Sequence, residues 1–183
     1  MYFVDPHTHM ASRVTDDYER LARMGCVCVA EPAFWAGVDR SSAESFRDYF
    51  RHLTEFEPQR AGWSGIQHYC WLAVNAKEAE NVSLAREVLA IIPEFLDQPN
   101  VLGIGEIGLN KNTKNEHAVL EDQIALALKH DLPILVHTPH LEDKLKGTRL
   151  IVDAMKNAGV HPDRVIIDHI EEHTAHIVLD AGF

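Results

Sequence analysis

The sequence predicts an α/β fold built on a parallel sheet. Six short apolar segments rich in valine, isoleucine and leucine alternate with six longer amphipathic segments, which is typical of strands joined by crossover helices. The short segments are apolar along nearly their whole length, as expected of strands covered on both faces. The pattern fits either an open doubly wound sheet or a (β/α)8 barrel of the TIM type, with only about six β/α units in this chain.

Each element follows from its own residue pattern. The strands are apolar runs of a few residues, predicted at 2–5, 26–30, 67–74, 101–106, 134–137 and 165–169. The helices are longer amphipathic runs, predicted at 15–24, 42–54, 83–97, 116–130, 147–158 and 171–181. Glycines at 25, 159 and 182 suit helix C-termini. The longest connection, 32–60, is predicted to include a loop beside the functional site.

Length and composition indicate one domain over residues 1–183. Hydrophobic residues make up 46% and charged residues 25%, as in soluble globular proteins. No apolar run approaches the roughly 20 residues of a membrane span, and Asp5 and His7 interrupt the N-terminal apolar stretch before it can form a signal peptide. Cys26, Cys28 and Cys70 suit buried, reduced thiols. We therefore expect a cytoplasmic protein without a membrane partner.

The net charge of −11 disfavours long nucleic acid as a partner, because phosphate backbones need a basic footprint. A small-molecule substrate is the expected partner, and a cationic metal site would attract one that is phosphorylated. The twelve histidines are spread along the chain and do not form a tag or a single tract. A functional role for any of them therefore depends on its position in the predicted fold.

His7 and His9 follow the first predicted strand in the sequence His-Thr-His. Residues two apart in a strand point to the same face, so both imidazoles can converge on one ion. Histidine is the commonest metal ligand in proteins. The pair therefore predicts half of a metal site, with two surface histidines in a turn as the ordinary alternative.

Ligand-type residues end or follow three further predicted strands, at Glu106, His137 and His169. The carboxyl ends of barrel strands carry the active site, because they hold side chains rigidly while the loops vary. Each residue alone has an ordinary explanation, such as a hydrogen-bonded core histidine or a turn cap. Four strand ends with ligand-type side chains are much harder to obtain by chance, and they predict one shared site.

Glycines at 103, 105 and 108 leave room for close backbone approach around Glu106. Their spacing is not a dinucleotide fingerprint, because no helix opens on the third glycine. A carboxylate among four imidazoles indicates two divalent cations bridged by Glu106. Zinc suits these ligands best, and manganese, iron, nickel and magnesium stay open.

The order of these motifs resembles that in TatD-like metal-dependent hydrolases of the amidohydrolase superfamily. The matching segments are His7-Thr8-His9 after Asp5, Gly-Glu-Ile-Gly-Leu around Glu106, Leu135-Val136-His137 and Ile167-Asp168-His169. The resemblance implies a TIM barrel with a binuclear site. His7 and His9 would hold one metal, and Glu106 would bridge to the second. His137 and His169 would hold that second metal, with Glu106 and His137 as catalytic residues.

In that family a further aspartate after the eighth strand completes the site, and only six strands are predicted in this chain, so the resemblance does not extend to that residue. Eight units usually need about 200 to 250 residues or more, so we expect either a fragment of a longer product or a reduced barrel. Unpaired edges on the first and sixth strands would favour self-association or cover by another chain. Asp168 is not expected to replace the missing aspartate, because it neighbours His169 and is predicted to point to the opposite side of the strand.

The predicted function is hydrolysis by a water that two cations activate, acting on a phosphoester, amide or ester. His140 is a candidate substrate contact at the pocket rim. Glutamates after the sixth strand, Glu171 among them, are candidates to support the ligands. Loop lysines Lys111, Lys114 and Lys144 are candidates for an anionic group, and Phe34, Trp35 and Trp71 for lining the pocket, although solvated loops and core packing explain such residues equally well.

Two alternatives remain at this point. A phosphoesterase of the polymerase-and-histidinol-phosphatase type also opens with His-x-His, but normally carries more ligands near its N-terminus. A non-catalytic metal-binding or interaction module derived from such a barrel is the second. Three bound metals would support the first, and tight metal binding without hydrolysis would support the second.

Overall fold

Six parallel strands form one sheet in chain order and curve into half of a barrel. The computed structural model describes residues 1–140 and 143–183. The strands are β1 (Phe3–Asp5), β2 (Cys26–Pro32), β3 (Gln67–Leu72), β4 (Val101–Gly108), β5 (Ile134–His137) and β6 (Val165–Asp168). Each strand pairs in parallel with the next. The α/β fold with six units of a TIM-type barrel is therefore confirmed.

Helices connect the strands and pack on one face of the sheet. They are α1 (Asp16–Met24), α2 (Ala43–Arg51), α3 (Glu57–Gly62), α4 (Val82–Ile91), α5 (Lys114–Lys129), α6 (Lys144–Asn157) and α7 (Ala175–Asp180). Short 3-10 turns lie at Met10–Ser12, Ala76–Glu78, Ile92–Phe95 and Pro162–Arg164. The helix predicted to end at 24 does so, with Gly25 in the left-handed conformation at φ 98°.

Side-chain caps explain where several helices begin. The Ser42 side chain accepts a hydrogen bond from the backbone of Ser45 at the start of α2. Thr113 and Glu116 form a reciprocal capping box at α5. Asp143 caps α6 in the same way, so that helix begins three residues before the predicted position. A capping residue satisfies a backbone N–H that has no partner inside the helix.

The predicted boundaries differ where local hydrogen bonds compete with the helix. A π-helical turn at His52–Phe56 joins α2 to α3, and α3 was not predicted. Ile92–Phe95 leaves the α-helical path as a 3-10 turn that contains Pro93, since proline cannot donate to the helix. The last helix starts at Ala175, four residues late, because Thr174 bonds through its hydroxyl to the backbone of Glu171.

The main core lies between the sheet and the helices. Ile104, Ile134 and Val136 of the central strands are fully buried there against helix residues such as Leu120 and Ile151. A smaller cluster under α1 includes Met10, Tyr18 and Val29. Alternate residues of the same strands point to the opposite, concave face.

The concave face is closed in the middle of the sheet and open at its edges. Trp71 and Leu135 are 5% and 2% exposed. Val4 on β1 and Ile166 on β6 are 55% and 53% exposed. Within the described residues, β1 and β6 each pair with one strand only, as predicted for a six-unit sheet.

Cys26, Cys28 and Cys70 are free thiols, and Cys26 and Cys70 are buried as predicted, whereas Cys28 is only partly buried. Across residues 1–140 and 143–183, no helix combines the length and apolar character needed to cross a membrane.

The glycines around Glu106 allow β4 to lie unusually close to its neighbours. A Cβ at Gly103 would lie 2.3 Å from the carbonyl oxygen of Pro133, and one at Gly105 would lie 2.6 Å from Leu135 Cβ. A Cβ at Gly108 would lie 1.9 Å from the carbonyl oxygen of His137. These contacts confirm the predicted close approach.

Gly108→Ala should lower the free energy of unfolding by about 1–3 kcal/mol or more, since the new methyl group overlaps the backbone of β5. Urea denaturation measures the change. Gly37→Ala is the matched control, because Gly37 also has a positive φ (102°) but has nothing within 4 Å of its Cβ position. Equal losses in both variants would show that backbone conformation, not close packing, makes glycine necessary at 108.

Candidate metal centre

His7 and His9 meet just beyond the end of β1. Their Nε2 atoms lie 3.3 Å apart, and the backbone N–H of His7 donates to Asp5 Oδ1 at 3.2 Å. The His9 ring stacks on Phe34 with a centroid distance of 4.2 Å. The structure therefore brings both imidazoles to one place, as the His-Thr-His spacing predicts.

Glu106 lies at the centre of the cluster. It occupies an irregularity in the pairing of β4 with β5, where Gly105 faces Leu135 and Ile107 faces Val136. Such bulges re-aim a side chain. The carboxylate is almost fully buried, and its Oε2 lies 3.6 Å from His7 Nε2, 3.3 Å from His137 Nδ1 and 3.3 Å from His169 Nε2.

The charge state of Glu106 follows from these neighbours. Burial alone would raise its pKa, but the hydrogen bonds to His137 and His169, with the charges of His137 and His7, outweigh burial and hold the pKa of the carboxyl far below its usual range. The other oxygen, Oε1, accepts a hydrogen bond from Asn75 Nδ2 at 3.0 Å. Glu106 is thus an oriented, ionised carboxylate at neutral pH.

Asp168 also faces the cluster, so the predicted orientation of its side chain is wrong. Asp168 pairs with His137 across β5 and β6, and its Oδ2 bonds to His7 Nδ1. His169 lies just past the strand with φ 61°, in the left-handed region. This bend allows both Asp168 and His169 to reach the site, and no residue pattern predicts it.

The contact with His7 lowers the pKa of Asp168 to about 2, against the opposing effect of burial. Burial also opposes protonation of His7, but the hydrogen bond to Asp168 and the charge of Glu106 outweigh it and raise the pKa of His7. With Nδ1–H donating to Asp168, His7 turns Nε2 toward Glu106. A carboxylate that fixes the tautomer of a ligand histidine is a recurrent support in metal sites.

A hydrogen-bond network beneath the site fixes the backbone that follows His9. The backbone N–H of Ala11 donates to the buried Glu31 at 2.7 Å, and Glu31 also bonds to His68. Arg60 donates to the carbonyl oxygen of Met10 at 2.7 Å. Charged groups that are buried and paired hold geometry firmly, so this network keeps the two N-terminal imidazoles in place.

The donor set fits divalent cations. Nitrogen or carboxylate oxygen atoms from His7, Glu106 and His169 lie within 4.8 Å of one another, and so do nitrogen atoms from His137, His140 and His169. Imidazole and carboxylate together suit zinc and other first-row divalent ions.

A cavity of about 180 Å³ opens at this cluster. It is lined by His9, Phe34, Trp35, Asn75, Lys77, Glu106, His137, His140 and His169. The predicted loop beside the site is therefore confirmed for Phe34 and Trp35. Asn75 and Lys77 were missed, although Asn75 follows β3 just as the ligand residues follow their strands.

Other sequence candidates lie elsewhere. Trp71 does not line the cavity, because its ring packs over Gly103 inside the half-barrel. Lys144 is no solvated loop charge: it begins α6, is buried, and pairs with Glu171 at 2.7 Å. Lys111 and Lys114 are exposed and are not among the cavity residues. The lysine that lines the cavity is Lys77, and its Nζ lies 4.7 Å from the Trp35 ring centroid.

Comparisons with known proteins point to one family. The profile of the TatD-related DNases matches residues 4–177. An uncharacterized metal-dependent hydrolase of Methanocaldococcus jannaschii is 28% identical over 179 residues, which cover 96% of this chain and 68% of the relative. The crystal structure of a TatD-like protein from Archaeoglobus fulgidus is 29% identical, with a TM-score of 0.85 over 97% of this chain and 73% of that one.

A more distant structure shares the fold. The phosphotriesterase homology protein of Escherichia coli, solved with phosphate in its active site, has a TM-score of 0.67 at 16% identity, over 98% of this chain and 67% of that one. The chain thus spans between 67% and 73% of the length of these three proteins.

The stability of the metal-free protein should depend on His9. Burial, the largest influence, lowers the pKa of His9 to about 4, whereas an unfolded histidine titrates near 6.5. Between about pH 4 and 6.5 the unfolded chain therefore binds more protons at this residue, so its contribution lowers the free energy of unfolding as the pH falls. His9→Gln should flatten that slope in urea denaturation with a chelator present.

His7 changes the pH dependence of the free energy of unfolding with the opposite sign, because its pKa is raised. The contribution of His9 is therefore the difference in slope between the wild type and His9→Gln. His161→Gln is the control, since His161 is exposed. A wild-type slope in His9→Gln would contradict the assignment of a neutral, partly buried His9.

Proposed function

The chain belongs to the family of TatD-related DNases and is a metal-dependent hydrolase, and from this premise we propose that it hydrolyses small phosphoesters at a pair of divalent cations. The observation that carries the proposal is the position of Glu106. One of its oxygens lies within 3.6 Å of imidazole nitrogens that follow three different strands. A single anionic oxygen shared among so many ligand-type groups supports a bridge between two cations.

The chain's own residues hold this arrangement. His7 and His9 would hold one cation, and His137 and His169 the other, with Glu106 between them. Bound cations of this kind lower the pKa of water and polarise the bond to be broken. Asp168 orients His7, and Asn75 orients Glu106. The ligands are therefore preorganised by contacts outside the ligand set.

Zinc is the proposed metal, because imidazole nitrogen dominates the donor set. Manganese, iron and nickel accept the same ligands. Magnesium fits less well, since it prefers an octahedral shell of oxygen atoms. Elemental analysis of the purified protein would distinguish among these ions.

The cavity supports a small anionic substrate with an aromatic part. Lys77 supplies a positive charge at the cavity, and Phe34 and Trp35 supply ring surfaces. A volume of about 180 Å³ suits a small molecule, and the net charge of −11 opposes a long polyanion. These features favour a phosphoester over a neutral amide or ester.

A cytoplasmic location and self-association through the edges of β1 and β6 stay predictions. Three free thiols are consistent with a reducing compartment. The exposed Val4 and Ile166 at the sheet edges are consistent with cover by a second chain.

Glu106→Ala should lower the metal content by at least one equivalent, because the proposed bridge is lost. Elemental analysis after dialysis measures this, beside a His7→Ala/His9→Ala double variant that should fall to one equivalent or none. Glu121→Ala, which removes a largely exposed glutamate on α5, is the control. Unchanged metal in Glu106→Ala would overturn the two-cation site, and a metal-free, well-folded wild type would favour a non-catalytic module.

Lys77→Ala should raise KM for an aryl phosphoester by about tenfold with little change in kcat, as expected when one charge-assisted contact to the substrate is lost. KM for a neutral aryl ester should not change. Lys111→Ala, which removes an exposed lysine away from the cavity, is the control. An equal effect on both substrates would mean that Lys77 shapes the pocket through Trp35 instead of binding an anion.

A further inference from the structure

His140 stands beside the imidazoles of two other strand ends. Its ring centroid lies 4.9 Å from that of His137 and 4.5 Å from that of His169, and these two are 4.8 Å apart. One nitrogen from each ring lies within 4.8 Å of the others. The three residues thus form a compact triangle of imidazoles, which we call the histidine triangle.

The backbone of His140 is fixed by its neighbours. Thr138 donates through its hydroxyl to the carbonyl oxygens of Asp168 and His169, at 3.1 Å each. Pro139 packs so closely on Gly147 of α6 that a Cβ at Gly147 would lie 2.4 Å from the proline ring. The loop is therefore held close to both β6 and α6 up to the residue before His140.

The side chain of His140 has no competing role in the part of the chain that the structure describes. It has no hydrogen-bond or ion-pair partner there, although it projects into the cavity. Lys144, the nearby cation, is paired with Glu171 at 2.7 Å. The lone pair of the His140 imidazole is thus free for a ligand.

Three imidazoles at this spacing match a known kind of donor set. Zinc takes three histidines plus an open position in catalytic sites, with zinc–nitrogen distances of about 2.0–2.1 Å. Nitrogen atoms around a tetrahedral ion then lie about 3.4 Å apart, so the triangle must close slightly. The exposed side chain of His140 has the freedom to do so.

We propose that His140 is a direct ligand of the cation held by His137 and His169, and not merely a contact for substrate. This inference rests on the proposed metal site, and it adds a ligand from the loop after β5. His137, His140, His169 and Glu106 would then hold the second cation.

The test is titration of metal-free protein with Co²⁺, followed by calorimetry and by visible absorption of the bound ion. His140→Ala should bind one equivalent at least about tenfold more weakly, since even the loss of a residue that only supports a ligand costs that much. The other equivalent should keep its affinity. His140→Asp restores a donor and should recover part of the lost affinity, whereas His161→Ala should match the wild type.

Wild-type affinity for both equivalents in His140→Ala would overturn the inference, and a higher KM in that variant would then assign His140 to substrate. That result leaves the proposed hydrolysis intact if the wild type cleaves phosphoesters. Weaker binding of one equivalent together with a changed visible spectrum of the bound Co²⁺ supports the inference whether or not a phosphoester is cleaved, because the loss of a residue that only supports a ligand leaves the set of ligand atoms unchanged. Weaker binding with a wild-type spectrum overturns it. A wild type that binds no Co²⁺ overturns both proposals.

Discussion

The site depends on one buried carboxylate held among imidazoles. Glu106 is ionised in a place where burial alone would oppose its charge, and it is stabilised only because His7, His137 and His169 converge on it. Each of these residues follows or ends a different strand. The parallel register of the half-barrel places the ends of β1, β4, β5 and β6 around one point. Glu106 stays ionised only while this register holds the imidazoles next to its carboxylate.

A second set of contacts makes the ligand positions specific. Asp168 fixes the tautomer of His7, Asn75 holds one oxygen of Glu106, and Thr138 ties the loop after β5 to that after β6. Beneath β1, Glu31 bonds to the backbone that follows His9. The glycines of β4 let these elements approach closely. Preorganisation of this kind is what distinguishes a metal centre from a chance group of histidines.

The sequence predicts which side chains meet at the cluster, because parallel strands place their carboxyl ends at one edge of the sheet and four of these ends carry a histidine or glutamate. That these residues bind a metal stays a prediction. The sequence predicts less where a single backbone conformation decides. The left-handed φ of His169 lets His169 and the adjacent Asp168 both face the site, and no residue pattern predicts this conformation. Lys77 and Asn75 were missed because they stand in a turn after β3 with no recognisable motif. Lys144 was misjudged since its partner, Glu171, is distant in sequence.

The strands that carry the cluster differ in how many neighbouring strands they pair with. Among residues 1–140 and 143–183, strands β4 and β5 are paired on both sides, while β1 and β6 are paired on one side. Strands paired on one side open locally at lower free energy than central ones. His7 follows one edge and His169 the other, whereas Glu106 and His137 belong to the middle. Fraying of an edge would disperse the ligands while the rest of the chain stayed folded, and an ion that binds only the assembled cluster would suppress that fraying by mass action. Binding of an ion to the cluster and ordering of β1 and β6 are therefore thermodynamically coupled.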